Sequence, residues 1–462
     1  MNLAQLAEKK VHFIGLGGAG MSGIARIMLA RGISVSGSDA KDSTVLTGLK
    51  TLGATVFVGH SSENLGSSEV LVVSSAIDKN NPEVLSAIEK GLVILTRAQA
   101  LALLMSESKS IAVAGTHGKT TTTSMLTVAL QQAGLDPSFA IGGMINRGGT
   151  NAHLGSGEIF VAEADESDGS FLAYKPFGAI ITNIELDHVD HFPDMESVNK
   201  IFAQFVDSIQ PGGFLVAGID SPGVIDLLSK VERNDIEILT YGESADFSIS
   251  HISLQASQAH ARITKLGKVL GELSLSIPGR HNIENATAAL SAGLKLGAPV
   301  AEMLAGLGSF SGAKRRFENK GSVNGITVID DYGHHPTEVR VTLETAKRFA
   351  GSGKVIVIFQ PHRYSRTAMF VDEFAEVLAI ADHVFLLEVY AASEAAIPGV
   401  SSVLIANAMA NPKVKFEPSM IEVVSQAVSV ATSGDVIITL GAGDVNLLVP
   451  LILQMLEDQV AN

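Results

Sequence analysis

The chain has 462 residues, 46% hydrophobic and 18% charged, with 45 glycines, no cysteine and a formal net charge of −15. That length suggests about three domains at ~150 residues each, and the composition fits a globular α/β protein. The lack of cysteine excludes disulfides, thiolate metal sites and cysteine nucleophiles; the acidic balance argues against a nucleic-acid surface. No apolar run approaches the ~18–20 residues that span a bilayer, so no membrane partner is expected. Met1 to Lys10 lacks an apolar signal core, so no signal peptide is expected either. An anionic ligand must then be held by local groups: loop amides, helix N-termini and a few placed Arg and Lys.

In the first third, the strand Val11–Ile14 runs into Gly15-Leu16-Gly17-Gly18-Ala19-Gly20, a G-x-G-x-x-G, followed by Ile24, Ile27 and Met28 at helical spacing. A second strand, Ile33–Ser36, is expected to end at Gly37-Ser38-Asp39. Asp39 stands 19 residues beyond Gly20, where a dinucleotide site would hold its ribose-binding acid. Runs at 55–58, 70–73 and 93–95 read as further parallel strands of a Rossmann-like unit. That unit has about five strands, fewer than a full dinucleotide fold, so the loop fits the diphosphate of any nucleotide, including a nucleotide sugar. His60, Ser74, Ser75 and Arg97 are polar residues at strand ends.

The middle third opens on Ile111 to Thr123. An apolar strand, the turn Gly115-Thr116-His117-Gly118, then Lys119-Thr120-Thr121 begin a helix that runs to about Ala133. Free N–H groups at a helix start favour a phosphate; Lys119 adds a point charge, and the Thr120 hydroxyl can sit on Mg²⁺. The full G-x-x-x-x-G-K-T would need glycine where the chain has Val113, so the loop is shorter than the general pattern. Gly142, Gly143, Gly148 and Gly149 mark a glycine-rich loop. The strand Ile159–Ala162 ends in Glu163, Asp165, Glu166 and Asp168, acids that need cations to offset them and that lie where Mg²⁺ ligands belong. The strand 179–183 leads to Glu185, Asp187, His188, Asp190 and His191, with His188 a metal ligand or an oriented base. Residues 246–275 alternate as a small antiparallel insert. Arg280, His281, Asn282 and Asn285 open an Ala-rich helix, where they can contact a base and phosphate or serve as caps.

In the last third, Phe310 to Glu318 is a basic, glycine-flanked hinge candidate containing Lys314, Arg315 and Arg316. Strands expected from Thr327, Val355, His383, Val414 and Val436 alternate with helices in a second Rossmann-like unit, closed by an amphipathic helix from about Val445. Asp330, Asp331, Tyr332, His334 and His335 form one polar strand end; Gln360, His362, Arg363 and Arg366 form another. The two arginines make a guanidinium fork suited to a carboxylate.

Jointly, the stretches 15–23, 36–39, 115–122, 163–171, 182–188, 279–285, 315–318, 330–338 and 360–367 resemble the ATP-dependent Mur ligases of peptidoglycan synthesis over essentially the whole chain. The shortened Gly115-to-Lys119 loop is that family's own form. The resemblance implies three α/β domains. Residues 1–106 would be a UDP-sugar-binding Rossmann-like domain, 107–312 a central P-loop ATP-binding domain with a small antiparallel sheet, and 313–462 a C-terminal Rossmann-like domain. It implies that Gly15, Gly17, Gly18, Ala19 and Gly20, with Asp39, His60, Ser75 and Arg97, hold UDP-N-acetylmuramate. ATP would be held by Gly115, Thr116, Gly118, Lys119, Thr120, Thr121 and Asn183, by His281, Asn282 and Asn285 on the adenine side, and by Arg316 and Asp331. Two Mg²⁺ would use Thr120 with Glu163, and Glu163 with His188. Tyr332, His334, Arg363 and Arg366 would form the substrate and L-alanine pocket. The catalytic set would be Lys119, Glu163, His188, His334 and Arg363. The implied reaction is ATP-dependent amide ligation in the cytoplasm by a monomer or weak homodimer. Addition of an intact tripeptide is the alternative within the family; a dehydrogenase or nucleotide sensor is the alternative outside it.

Overall fold

The computed structural model describes every residue except 75, 146–148, 190, 410–413 and 462. Ser75, Gly148 and Asp190 therefore lie outside the described residues.

Three sheets carry the chain. The first is all parallel, in the order Thr55–Val58, Ser34–Asp39, Lys10–Ile14, Val70–Val73, Val93–Thr96. The strand order reverses beside Lys10–Ile14, so the glycine loop that follows it opens at the topological switch point, where open α/β sheets bind ligands. The second strand runs through Gly37 to Asp39, because Phe13↔Gly37 and Ile14↔Ser38 continue the ladder. A β-carbon at Gly37 would lie 2.8 Å from both the Phe13 carbonyl oxygen and Leu16 Cδ2, so glycine permits the close approach there.

At the centre of the second sheet, Lys109–Ala114 lies between Ile159–Glu163 and Gly178–Ile181, all parallel. The register sets Ile181 opposite Ala114 and Glu163 opposite Val113. That register delivers the phosphate loop, the acidic run and Thr182–Asn183 to one sheet edge. The antiparallel strands Phe247–Leu254, Ala259–Lys265 and Lys268–Leu275 extend this same sheet, joined to it through Tyr241↔Phe247 and Gly242↔Ser248.

The third sheet runs Glu318–Val323, Ile326–Asp331, Val436–Leu440, Val355–Phe359, His383–Leu386, Val414–Phe416. Its first strand was not expected. Asn319, Lys320 and Gly321 give it no apolar alternation; it forms as the exposed antiparallel partner of Ile326–Asp331 around an Asn324-Gly325 turn. The terminal α-helix starts at Val449 rather than Val445, after the 3₁₀ turn Val445–Leu448. Pro450 suits a helix's first turn and would break its interior.

One apolar core runs from the first unit (Met21, Ala98, Leu101) into one face of the central sheet (Ala112, Phe160, Ile181). A second fills the opposite face of the central sheet, and two more flank the third sheet. Among the described residues no helix is long and apolar enough to cross a membrane.

Candidate active site

The phosphate loop is fixed by its glycines. Gly115 and Gly118 have φ of 129° and 82°, a region that side chains rarely adopt. A β-carbon on Gly115 would strike Thr182 Oγ1, and one on Gly118 would lie 2.6 Å from Asn285 Oδ1. Asn183 braces the loop by accepting from the His117 amide at 2.8 Å and donating to its carbonyl at 3.1 Å. Thr116 Oγ1 accepts from the Glu185 amide at 2.8 Å. Thr121 is buried in the helix's first turn. Lys119 folds over the loop, donating to the Gly115 carbonyl (2.8 Å), the Thr116 carbonyl (3.1 Å) and Glu166 Oε1 (2.9 Å). Burial disfavours its charge, yet Glu166 and Asp165 outweigh that and hold its pKa up at about 12. A cation over a cradle of loop backbone awaits anionic phosphate oxygens.

Two carboxylate clusters adjoin it. Glu163 accepts from Thr120 Oγ1 at 3.0 Å and from the Gly142 amide at 2.8 Å. Asp165, Glu166 and His188 each offer a ligand atom, all within 4.8 Å of one another. His188 Nε2 lies 3.7 Å from Glu166 and 3.8 Å from Asp187, and its Nδ1 is buried with no hydrogen-bond partner. Burial lowers the His188 pKa, which keeps the ring neutral, the state in which imidazole binds a metal. Burial pushes Glu166 up to about 7 against the pull of Lys119. Oxygen and imidazole donors so placed fit a divalent cation. His188 faces Glu166 and Asp187, while Glu163, which the resemblance pairs with His188 on a Mg²⁺, hydrogen-bonds Thr120. His188 has φ of 52°, a left-handed conformation uncommon for a side-chain-bearing residue.

A cavity of about 460 Å³ opens beside the loop, lined by Gly118, Thr121, Asn183, His281, Asn282, Asn285, Arg316 and Asp331. It is of small-ligand size. Asn285 Oδ1 accepts from Thr122 Oγ1 at 3.1 Å, tying the helix Arg280–Lys295 to the phosphate-loop helix. Asp331 accepts from the Phe317 amide at 2.7 Å and the Gly333 amide at 2.8 Å, while burial raises its pKa to about 6. Arg315 and Arg316 cover the Tyr332 ring at 5.0 and 5.2 Å. So residues from the second and third sheets line one cavity.

A second cavity, about 350 Å³, is lined by Gly18, Ala19, Gly20 and Arg97 from the first unit and by Asn151, Glu163 and Asp165 from the middle. Asn151 Nδ2 donates to the Ala19 carbonyl at 2.6 Å across that junction. Gly15 supports the loop's first turn at φ 81°. Asp39, expected at a ribose, accepts from the Gly17 amide at 2.9 Å and so closes the glycine loop itself. His60 Nδ1 lies 3.0 Å from Ser38 Oγ, above the buried Glu83, which takes up Ser38 Oγ at 2.6 Å and Asn64 Nδ2 at 2.6 Å.

The last cluster joins the C-terminal unit to the middle one. Arg366 is 3% exposed, and its Nη2 and Nε donate to Asp187 Oδ1 at 2.6 and 3.0 Å. The pair expected as a fork is divided: Arg366 holds a carboxylate of the chain itself, and Arg363 faces another. Arg363, at φ 73°, lies 3.9 Å from Glu394. His334 Nδ1 is 3.1 Å from the Tyr332 carbonyl; a carbonyl only accepts, so the proton is on Nδ1 and Nε2 keeps a lone pair. Burial lowers the His334 pKa to about 3 and that of neighbouring His362 to about 4.

Three family profiles cover the chain in this order: "Mur ligase family, catalytic domain" at residues 10–109, "Mur ligase middle domain" at 113–293, and "Mur ligase, glutamate ligase domain" at 315–443. The chain belongs to the Mur ligase family. A curated relative, the UDP-N-acetylmuramate–L-alanine ligase of Renibacterium salmoninarum, is 49% identical over 436 residues, covering 94% of this chain and 93% of its own. The solved UDP-N-acetylmuramate–alanine ligase of Thermotoga maritima superposes with a TM-score of 0.82 at 29% identity, covering 98% of this chain and all of that one. A murein peptide ligase from Psychrobacter arcticus gives 0.72 at 28%, covering 97% and 98%.

In this Mur ligase chain, sequence reasoning assigned no role to His117, Glu185 and Glu338, and offered Glu166 only as one of four candidate Mg²⁺ ligands. All of them stand inside the stretches that carry the resemblance, so the signal was membership of a motif. Their partners come from distant parts of the chain: His117 Nδ1 lies 3.2 Å from Glu338.

Proposed function

We propose that this chain joins L-alanine to the lactyl carboxylate of UDP-N-acetylmuramate, with ATP converted to ADP and phosphate, in peptidoglycan precursor synthesis. One observation carries the reading: the cavity that starts at Gly18–Gly20 and Arg97 ends at Glu163, which hydrogen-bonds Thr120 of the phosphate loop. A nucleotide sugar laid along it would bring its far end to the outer phosphates of an ATP in the larger cavity. The curated relatives named for L-alanine support the single amino acid over an intact tripeptide. A second phosphate loop, beside acids and a neutral histidine, weighs against a dehydrogenase.

The units expected at 1–106, 107–312 and 313–462 would then deliver carboxylate, ATP and amine. The substrate carboxylate oxygen attacks the γ-phosphorus and the bond to ADP breaks, giving an acyl phosphate. The alanine nitrogen attacks the acyl carbon, and phosphate leaves the tetrahedral intermediate as the C–O bond breaks. Lys119 and Arg316 neutralise the converging anions. Thr120 and Glu163 would hold one Mg²⁺ and Asp165, Glu166 and His188 another; the ions supply charge neutralisation on phosphate oxygens. Tyr332, His334 and Arg363 would surround the alanine. A base works best with a pKa near the working pH, so His334, at about 3, suits an acceptor that orients the amine better than a base that keeps its proton. Arg366 acts by keeping Asp187 and the C-terminal unit in place. The nucleotide substrates suit work in the cytoplasm, and the reading includes a monomer or weak homodimer.

The test is phosphate release from ATP with Mg²⁺ and UDP-N-acetylmuramate, against a panel of amino acids and the tripeptide. L-Alanine should stimulate release most. Stimulation by the tripeptide alone would overturn the single-amino-acid reading, and none by any acceptor would overturn ligation. Oxygen label in the substrate carboxylate should appear in the released phosphate.

A further inference from the structure

Between the phosphate loop and the C-terminal unit, His117, Glu185 and Glu338 form a charged cluster on the wall of the larger cavity; the reaction just described uses Arg316 beside them but gives these three no part. His117 Nδ1 is 3.2 Å from Glu338 Oε1, and its Nε2 is 3.5 Å from Glu185 Oε2. Glu338 is shared: Arg316 Nη1 lies 3.6 Å from it, and the His334 amide donates to it at 3.0 Å. Glu185 is held from the C-terminal side by Thr337 Oγ1 at 2.6 Å, with His335 Nδ1 at 3.9 Å. The His117 backbone cannot move independently, because Asn183 binds both its amide and its carbonyl.

A neutral imidazole has one N–H and can serve one carboxylate; an imidazolium has two and serves both. Burial opposes the charged ring, but the two carboxylates that face it, Glu185 and Glu338, outweigh burial and hold the pKa up at about 9. One of those carboxylates belongs to the phosphate-loop unit and the other to the C-terminal unit. If the C-terminal unit moved away, His117 would lose Glu338, Glu185 would lose Thr337, and Arg316 would leave the ATP cavity together with them.

We propose that His117 is a positioning residue: clamped between Glu185 and Glu338, it ties the phosphate loop to the docked C-terminal unit and so seats Arg316 at the ATP phosphates. The inference rests on the ATP-ligase reading above and adds to it a route by which docking reaches the loop.

The experiment compares His117→Ala, Glu338→Gln and the double variant with the wild-type protein. Affinity for a non-hydrolysable ATP analogue should fall, through loss of Arg316 from the cavity, by clearly less than kcat does, because the loop amides and Lys119 remain, while kcat for ligation falls by at least about tenfold from misplacement of Arg316. The double variant should be no slower than the slower single one, since both break one link. Small-angle scattering should show a contraction of the wild-type protein on adding the analogue with UDP-N-acetylmuramate, reduced in every variant. Additive losses in kcat, or variants that contract as the wild type does, would overturn the proposal. Should His117→Ala fail to fold, Glu338→Gln carries the same comparison. Scattering and analogue binding do not depend on which acceptor is ligated, so a wild-type protein that L-alanine fails to stimulate sinks the functional reading while these two measurements still decide the coupling.

Discussion

The loop after Lys10–Ile14 and the loop after Lys109–Ala114 both turn a parallel strand into a helix N-terminus through closely spaced glycines. Their surroundings differ. In the first, Gly17 is bound to Asp39 at 2.9 Å, and the cation, Arg97, reaches in from another helix to lie against Gly20. In the second, the cation is the loop's own Lys119, already engaged with two loop carbonyls and Glu166. Under the proposed function the diphosphate held at the first loop keeps its charge throughout the reaction, so backbone donors and one borrowed cation would suffice. At the second, charge moves during phosphoryl transfer, and the cation must follow it. On that reading the first loop would bind, and the second would both bind and stabilise a transition state.

Lys119→Ala is the sharpest way to break that contrast. Turnover should fall by roughly 10²–10³-fold or more, as for loss of one transition-state donor, while UDP-N-acetylmuramate affinity by calorimetry stays near wild type. Equal losses in both would mean that the two loops are not divided in this way.

Glycine replacements probe the loops in parallel. Ala at Gly118 meets a φ of 82° and a β-carbon 2.6 Å from Asn285 Oδ1, so the loop must distort; kcat/KM for ATP should drop by about 10²-fold. Ala at Gly20 meets no forbidden φ and presses at 2.9 Å on Arg97 Cδ, part of a flexible side chain that can swing aside. The expected result is a rise of about tenfold in KM for UDP-N-acetylmuramate at nearly constant kcat. A Gly20→Ala protein with a lowered kcat and an unchanged KM would contradict the binding-only role of the first loop.

Much of this was legible in the sequence, for a physical reason. Glycine loops, β-branched strands and strand-end acids are local signals, so Gly15–Gly20, Gly115–Lys119, Glu163 and His188 could be marked from order alone. What escaped needed contacts across the chain. Arg366 read as a substrate arginine, because nothing local shows that Asp187 occupies its guanidinium. Glu166 was one acid among four; only the fold turns it toward Lys119 and His188. The left-handed backbones of His188 and Arg363 are imposed by packing, and neither residue type demands them. The strand Glu318–Val323 has no apolar alternation to betray it and exists through its pairing.

The smallest effect concerns what lies beneath the first loop. Glu83 is fully buried; Ser38, Asn64, the Ser61 amide and His12 all direct polar groups at it. Burial alone would raise its pKa, but these partners win and bring it down to about 2 from 4.5. Glu166, equally dry, goes the other way, since Lys119 alone does not offset burial beside Asp165. A depressed carboxylate contributes stability that is present above the unfolded pKa and lost as pH falls through the folded one. Glu83→Gln should therefore cost about 1–3 kcal/mol at pH 7, from charge-assisted hydrogen bonds lost. The gap between variant and wild type, read from urea midpoints, should close as pH drops from 4.5 toward 2. A gap that stays constant over that window would assign the cost to packing instead of charge. The first loop would then rest on a neutral support, and its contrast with the second would lie in the cations alone.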